Sequence, residues 1–267
     1  MNAIEIANRR NKIVELIKKE KILHTSEAVE IFQVSNETIR KDFNYLESKG
    51  ILKKIHGGAT LSESDMIDPF VVRQTEHYEA KLAIAKKALE FIPKEPCILG
   101  LDVGSTVTIF AAQLSHLSGK TIITNSLTAL QELIDSNNEV YCTGGKFSSH
   151  DMSFQGNIAN NTLKDLAMDV SFMGSSGVYN RNGICSTSFQ DINVKRELLN
   201  RSTKTILLMD SSKFTKSSFV EIANWEEIDT VITDDNIPIE IKHGLMDKVE
   251  VILVHVDGLN KNRITID

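Results

Sequence analysis

Residues 35–46 read SNETIRKDFNYL and residues 50–58 read GILKKIHGG. In the first stretch Ile39, Phe43 and Leu46 recur at i, i+4 and i+7, which predicts one apolar stripe along a helix. Ser35 can cap that helix, because its hydroxyl can accept from the free backbone N–H groups of the first turn. The opposite side is polar and suits a DNA major groove, where side chains meet base edges and phosphates; it carries Glu37, Arg40, Lys41, Asn44 and Ser48. This stretch is therefore a candidate recognition helix.

The segment before this helix predicts its partner in a helix-turn-helix. Thr25 can cap a short helix, and residues 33–35 are enough for the turn between two helices packed at a steep angle. The apolar stripe of that short helix would consist of Ala28, Ile31 and Phe32. A third helix, needed to close so small a core, is predicted over residues 10–20, where the residues at helical spacing are Ile13, Leu16 and Ile17.

The stretch after the recognition helix predicts a basic wing. Residues 51–55 form a strand candidate, and Lys53 and Lys54 within it could lie along a phosphate backbone. Residues 1–60 hold eleven Lys or Arg against eight Asp or Glu, whereas the remainder holds nineteen against twenty-eight. A basic module on an acidic remainder favours nucleic-acid binding over a merely solvated surface, which is the alternative for any single helix. We expect duplex contacts from Ser35, Thr38, Arg40, Lys41, Asn44, Tyr45, Lys53 and Lys54.

Composition bounds the class of protein. At 267 residues and 41% hydrophobic content, the chain is long enough for two domains with a substantial core. No apolar run approaches the roughly 20 residues that span a bilayer, and the first residues lack a signal-peptide apolar region, so we expect a cytoplasmic protein. Cys97, Cys142 and Cys185 are far apart, which suits small core residues better than disulfides or zinc ligands. The histidines are scattered too, and we expect no metal and no cofactor.

The larger part of the chain predicts an α/β domain. From about Tyr78, short β-rich runs alternate with helical stretches, which indicates βαβ units and a mainly parallel sheet. The strand candidates span residues 97–101, 121–123, 140–142, 170–173, 205–209, 230–233 and 249–254. Residues 60–74 lack periodicity and contain Pro69, which favours a linker. The predicted organisation is a winged helix-turn-helix over 1–59, a linker over 60–75 and a sensor domain over 76–267.

Polar residues follow the predicted strands. Ligands of open parallel sheets bind beyond the carboxyl ends of the strands, and small or hydroxyl residues there can cradle a phosphate at a helix start. Gly, Ser and Asp are also what any strand-to-helix turn requires, but several such loops converge on one edge. The expected effector-binding residues are Asp102, Gly104, Ser105, Thr106, Thr124, Asn125, Gly144, Gly145, Lys146, Asp210 and Lys213. Lys81 and Lys195 are possible additions, or else ordinary solvated helix lysines.

These residues together resemble the DeoR family of transcriptional regulators of sugar metabolism. The N-terminal similarity is V-S-x-x-T-I-R-K-D-x-x-x-L-x-x-x-G over residues 34–50 and H-G-G-A over 56–59. The similarity covers nearly the whole chain, continuing at residues 101–106, 124–126, 144–145, 172–174 and 210–214. It implies an N-terminal winged helix and a C-terminal sensor similar in fold to sugar-phosphate isomerases, usually in a repressor that a phosphorylated sugar releases from DNA.

The sequence departs from the family's pattern at three places. The family often has an Arg near the position of Ser148 and a Gly-x-Asp-Gly where residues 174–177 read GSSG. It usually has Glu-Ala where Asp191 and Ile192 stand ahead of Val194-Lys195. The pocket therefore lacks an Arg and an Asp that the family's pattern has. Their absence changes which hydroxyls or anions the pocket can bind, so the sequence does not identify the effector.

The resulting hypothesis is a ligand-controlled regulator, acting as a dimer or tetramer on double-stranded operator DNA, with a small phosphorylated sugar as effector and no catalytic residues. The alternative is a sugar-phosphate isomerase-like enzyme with an appended nucleic-acid module, in which Asp102 or Asp210 would be the general base. An enzyme has no need of the N-terminal module. A scaffold that binds nucleic acid without sequence preference would bind unrelated duplexes equally.

Overall fold

A computed structural model describes residues 3–20, 22–48, 51–61, 70–218 and 220–256. The chain forms two compact units, Met1–Glu76 and His77–Asp267. The described residues of the first unit enclose one cluster of buried apolar side chains, and those of the second enclose three.

The N-terminal unit is a winged helix-turn-helix, as predicted. Its helices are α1 (Ala3–Glu20), α2 (Thr25–Phe32), α3 (Asn36–Ser48) and α4 (Phe70–Thr75). Its antiparallel sheet has the order β1-β3-β2, with β1 (Ile22–His24), β2 (Leu52–Ile55) and β3 (Gly58–Leu61). The apolar stripes predicted for α1 and α3 meet in the core, where Ile13, Ile17, Ile39, Phe43 and Leu46 are buried and Leu16 is partly buried.

Two details predicted for α2 are wrong. Thr25 is the first residue of the helix, and His24 is the N-cap. Glu27 helps to stabilise this start, because its carboxylate accepts from the backbone N–H of His24 at 3.1 Å. Ile31 is 50% exposed, so it is not part of the buried stripe, which consists of Ala28 with Val29 and the predicted Phe32 partly buried beside it.

The predicted linker has regular structure at both ends. Thr60 and Leu61 belong to β3, and residues 70–75 form α4. Residues 62–69, which include Pro69, lie outside the described residues, as does Gly50 of the N-terminal motif. The domain limits 1–59, 60–75 and 76–267 stay a prediction.

The C-terminal unit is built on a seven-stranded parallel sheet, as predicted. The sheet order is β14-β13-β11-β9-β4-β5-β6, and every neighbouring pair is parallel. The strands are β4 (Ile98–Leu101), β5 (Thr121–Thr124), β6 (Glu139–Cys142), β9 (Met168–Met173), β11 (Ser202–Leu208), β13 (Thr230–Asp234) and β14 (Glu250–Val254). The helices are α5 (Tyr78–Ala88), α6 (Ser105–Leu114), α7 (Leu127–Leu133), α8 (Asn157–Lys164), α9 (Ile192–Asn200) and α10 (Ile239–Met246).

Two small β-structures in this unit were not predicted. One is the antiparallel hairpin of β7 (Lys146–Ser148) and β8 (Ser153–Gln155), and the other is the antiparallel pair of β10 (Gly183–Ser186) and β12 (Val220–Asn224). Their strands are short and lie outside the βαβ alternation. Cys97 and Cys185 are buried as expected, but Cys142 at the end of the edge strand β6 is only half-buried.

The strand order places a topological switch next to the middle of the sheet. The chain runs from β4 outward to β5 and β6, then returns to the other side of β4 and continues through β9, β11, β13 and β14. Ligands of such sheets bind in the crevice at the carboxyl ends of the two strands where this direction changes. Here those strands are β4 and β9, so Asp102 and Gly174, which follow them, border the crevice.

Candidate functional site

The exposed face of α3 has the polarity predicted for a DNA-contacting surface. Arg40, Lys41 and Asn44 are exposed on it. The predicted cap is confirmed: the Ser35 hydroxyl accepts from the backbone N–H of Thr38 at 3.2 Å, and the two hydroxyls lie 2.8 Å apart. Ser35 and Thr38 are therefore engaged with each other at the helix start.

The wing is tied to α3 by one lysine. Lys54 of β2 donates from Nζ to the Asn44 side-chain oxygen at 2.7 Å and forms an ion pair with Glu47 at 3.1 Å. Its backbone N–H also donates to Glu47 at 2.9 Å. Lys54 and Asn44, both expected to contact the duplex, thus also fix the wing against the helix, while Lys53 is exposed.

The inner side of α3 carries a buried carboxylate. Asp42 is 2% exposed in its side chain and accepts from Arg9 Nε at 2.6 Å and from Arg10 Nε at 2.7 Å, one arginine on each oxygen. The Arg10 guanidinium also lies 3.7 Å from the centroid of the Tyr45 ring. Tyr45 therefore packs toward α1, and its expected contact with DNA stays a prediction.

At the switch point, Asp102 forms a buried ion pair. Its side chain is fully buried and pairs with Nζ of Lys195, whose side chain is 4% exposed. The same oxygen of Asp102 accepts from the Gly174 backbone N–H at 3.0 Å, and Lys195 donates to the Gly174 carbonyl at 3.2 Å. This pair joins the ends of β4 and β9 to helix α9.

Three of the predicted effector-binding residues carry a buried oxygen that accepts no hydrogen bond from any described residue. These oxygens are Oδ1 of Asp102, Oδ1 of Asn125 and Oδ2 of Asp210, at the carboxyl ends of β4, β5 and β11. A buried polar atom without a partner costs roughly 1–3 kcal/mol, so such atoms are rare unless something else satisfies them. β4 and β5 are neighbours about 4.8 Å apart, whereas β9 lies between β4 and β11, so the ends of β5 and β11 are about 14 Å apart along this edge.

Cations surround Asp210. Burial is the largest influence on the pKa of its carboxyl and would raise it, but Lys213, Lys81, the Ser212 hydroxyl and His77 together hold the pKa below its ordinary value. Asp210 is thus ionised at neutral pH, with one oxygen bonded to the Ser212 hydroxyl and backbone N–H.

The other predicted residues differ in what they offer a ligand. Ser105 and Thr106 begin α6, whose free N–H groups are suited to an anion. The Thr124 hydroxyl is already used, because it donates to the Leu101 carbonyl at 2.8 Å and accepts from the Ser126 N–H at 3.0 Å. Gly104, before α6, has a φ of +146°.

Gly144 and Gly145 shape the chain rather than present side chains. Both have a positive φ, and a Cβ on Gly145 would lie 2.6 Å from the Gln155 carbonyl oxygen. A glycine is therefore required where the chain enters the β7–β8 hairpin. This turn leads into Lys146, which is exposed on β7.

Sequence reasoning undervalued two lysines and missed two further residues. Lys81 and Lys195 are buried rather than solvated, with 1% and 4% exposure. The sequence could have indicated the burial of Lys81, because Lys81 lies at helical spacing with the buried Ile84, Ala85 and Ala88. The missed pair is Asp191 and Gln155, joined by a 2.8 Å hydrogen bond from the Gln155 amide.

Asp191 is buried close to the switch point. Burial raises the pKa of its carboxyl to about 6, with Asp151 and Asp102 adding to the rise and Lys195 and the Ser186 hydroxyl opposing it. Because the folded chain binds this proton more tightly than the unfolded chain does, the contribution of Asp191 to stability falls as pH rises from about 4 to about 6.

Asp191→Asn is expected to remove that loss. An asparagine amide can keep the partners Gln155 and Ser186. The free energy of unfolding of the variant, relative to that of the unmodified chain, should therefore rise by about 2–3 kcal/mol between pH 4 and pH 7. Urea unfolding of both proteins across this range measures the difference, and a difference independent of pH would contradict the raised pKa.

The described residues show neither a candidate metal site nor a candidate membrane-spanning helix. They contain no group of three or more His, Cys, Asp or Glu side chains placed to hold a metal ion. No described helix is both long and apolar enough to cross a membrane.

Comparison with known proteins covers most of the chain. Residues 9–65 match the family model of the DeoR-like helix-turn-helix domain, and residues 76–235 match that of the DeoR C-terminal sensor domain. The chain is 30% identical to the glycerol-3-phosphate regulon repressor of Escherichia coli, over 90% of this chain and 95% of that protein. It is 34% identical to the lactose phosphotransferase system repressor of Staphylococcus epidermidis, over 92% and 98%.

The fold also resembles solved structures over part of its length. A D-ribose-5-phosphate isomerase in complex with phospho-erythronic acid is 21% identical, with a TM-score of 0.38, and the similarity covers 51% of this chain and 53% of that one. This likeness concerns the fold alone.

Proposed function

The chain belongs to the DeoR family of helix-turn-helix transcriptional regulators. From that premise we propose that it is a repressor, and that a small phosphorylated sugar or related metabolite controls its affinity for operator DNA. Two similar proteins are named as repressors of a glycerol-3-phosphate regulon and of a lactose phosphotransferase system. Both names pair transcriptional repression with a phosphorylated compound or with a phosphotransferase system.

The observation that carries the proposal is the set of buried acceptor oxygens without donors at the sheet edge. Sugar hydroxyls are donors, and Asp102, Asn125 and Asp210 would each accept one. A purely anionic ligand would instead be repelled by the two carboxylates. The effector should therefore present several hydroxyl groups to this edge.

A phosphate group would be held beside those hydroxyls. The first N–H groups of α6, at Ser105 and Thr106, favour an anion, and Lys213 lies close enough to Asp210 to affect its pKa. We assign the phosphate to α6 or to Lys213, and Lys146 to the rim of the site. Lys195 would hold Asp102 in place, because its Nζ already pairs with that carboxylate.

For DNA binding we propose a dimer or tetramer in the cytoplasm. A single three-helix module contacts few base pairs, whereas a symmetric pair can bind two half-sites about one helical turn apart, or multiples of it. The effector must then bind two arrangements of the oligomer unequally, and a tenfold effect on DNA affinity needs about 1.4 kcal/mol of coupling.

An isomerase-like activity is the competing proposal. Asp102 and Asp210 could serve as bases, but the Asp102 carboxylate is already paired with the ammonium of Lys195, which makes it a weaker base. The similar proteins quoted above are named as regulators, and we propose that this chain is not an enzyme. An assay of sugar-phosphate isomerisation distinguishes the two proposals. Turnover by the unmodified chain that is abolished in Asp102→Ala would favour the enzyme.

We expect the unmodified chain to bind a duplex from upstream of its own gene, and a sugar phosphate to weaken that binding. Asp210→Asn should keep DNA affinity and raise the effector concentration needed by tenfold or more, because a charge-assisted hydrogen bond is worth about 1.5–3 kcal/mol. Arg40→Ala should weaken DNA binding without changing that concentration. Fluorescence anisotropy, with a panel of sugar phosphates titrated at fixed salt, measures both.

The two variants are controls for each other, since Asp210 and Arg40 belong to different units. If Asp210→Asn responds to effector as the unmodified chain does, the placement of the effector is wrong. If Arg40→Ala binds DNA with undiminished affinity at physiological salt, the placement of the recognition helix is wrong.

A further inference from the structure

One carboxylate stands on the side of α3 that we propose to face DNA. Glu37 lies in the first turn of the helix, and its side chain is 78% exposed. Its Oε1 is 2.8 Å from Nζ of Lys41, one turn further along, whose side chain is 72% exposed. The N-terminal residues of a recognition helix are those that contact base edges, so Glu37 occupies a base-reading position.

A carboxylate here is unfavourable for affinity alone. DNA is lined with phosphates, and binding is driven largely by cations that neutralise them. The hydrogen bond and charge of Lys41 lower the pKa of Glu37, so the side chain is ionised at neutral pH. The carboxylate therefore opposes non-specific binding, but it can contribute to recognition by discriminating among base pairs. An acidic residue in the first turn also stabilises a helix modestly.

We propose that Glu37 and Lys41 act as a unit that selects a C·G base pair in the operator half-site, with Glu37 as a specificity-determining residue. In the major groove a carboxylate can accept from cytosine N4–H₂, and an ammonium can donate to guanine O6 and N7. Lys41 has three donors, so its ammonium can hold Glu37 and a guanine together. The other major-groove amino group, on adenine, lies beside the N7 acceptor, which repels a carboxylate.

The proposal rests on α3 being the recognition helix, and the test separates the two. The full-length chain selects bound duplexes from a random-sequence library, as do Glu37→Gln and Glu37→Ala. Affinities are then measured at one salt concentration on duplexes that differ in a single base pair. Glu30→Gln is the matched control, because Glu30 is an exposed glutamate of α2 and its loss removes the same charge from the same unit.

We expect the unmodified chain to prefer C·G at one position by roughly tenfold or more, the range for a good base contact. Glu37→Gln should shift that position toward adenine, to which glutamine can bond through N6 and N7. Glu37→Ala should lose the preference there and bind unrelated duplexes more tightly. Glu30→Gln should select the same site as the unmodified chain.

Two results would overturn the proposal. If both Glu37 variants select the site of the unmodified chain, Glu37 reads no base, while the regulator function stands. If the unmodified chain selects no site at all, sequence-specific recognition fails and this proposal fails with it. Unchanged thermal unfolding of the variants, expected for so exposed a residue, assigns any change in selection to DNA contacts.

Discussion

Lys195→Met is expected to destabilise the C-terminal unit by about 3–5 kcal/mol, the usual cost of removing one partner of a buried ion pair. Asp102 would keep only the Gly174 N–H as a donor on one oxygen, while its other oxygen already has no partner among the described residues. Methionine fills a similar volume, so lost packing is a minor part of the effect. The measurement is urea unfolding of the full chain, followed by hydrogen exchange at the amides of β4 and β9.

Two further variants test the cause of that loss. Arg201→Ala breaks an ion pair at the end of the same helix, but Arg201 is 41% exposed and Glu197 is 19% exposed, so the loss should not exceed about 1 kcal/mol. Asp102→Asn combined with Lys195→Met removes both charges and should recover part of the stability. A Lys195→Met loss no larger than that of Arg201→Ala would show that the pair contributes little.

Asp42→Ala is expected to destabilise the N-terminal unit by about 3 kcal/mol or more. Without Asp42, Arg9 and Arg10 would face each other in a partly buried site with no carboxylate between them. Since Asp42 lies on α3 and the arginines on α1, the contact between these two helices should loosen first. Hydrogen exchange of the full chain should show faster exchange in α1 and α3 and unchanged exchange in β9 and β11.

The control lies on the same helix. Glu37→Ala also removes a carboxylate from α3, but the ion pair of Glu37 with Lys41 is exposed on both sides, and such pairs contribute little to stability. Exchange in α1 should therefore be nearly unchanged in Glu37→Ala. If Asp42→Ala exchanges like Glu37→Ala, the buried arrangement with two arginines does not hold α1 to α3.

Local patterns in the sequence were sufficient for both folds. The i, i+4, i+7 spacing of Ile39, Phe43 and Leu46 predicted α3, and the structure buries all three. The alternation of β-rich and helical runs predicted the parallel sheet. A buried parallel strand is a short apolar run, which can be identified from its own residues without knowing which strands lie beside it. The β7–β8 hairpin was missed because its strands are only three residues long.

The sequence by itself determined the elements, the parallel sheet and which loops follow its strands, since helical and strand periodicity depend on residues close together in the chain. Only the tertiary structure decided that Lys195 pairs with Asp102, 93 positions away, and that Asp42 meets Arg9 and Arg10, more than thirty positions away. A charged residue on a helix has the same local pattern whether water or a carboxylate faces it. What distinguishes the two is burial, which depends on how distant segments pack.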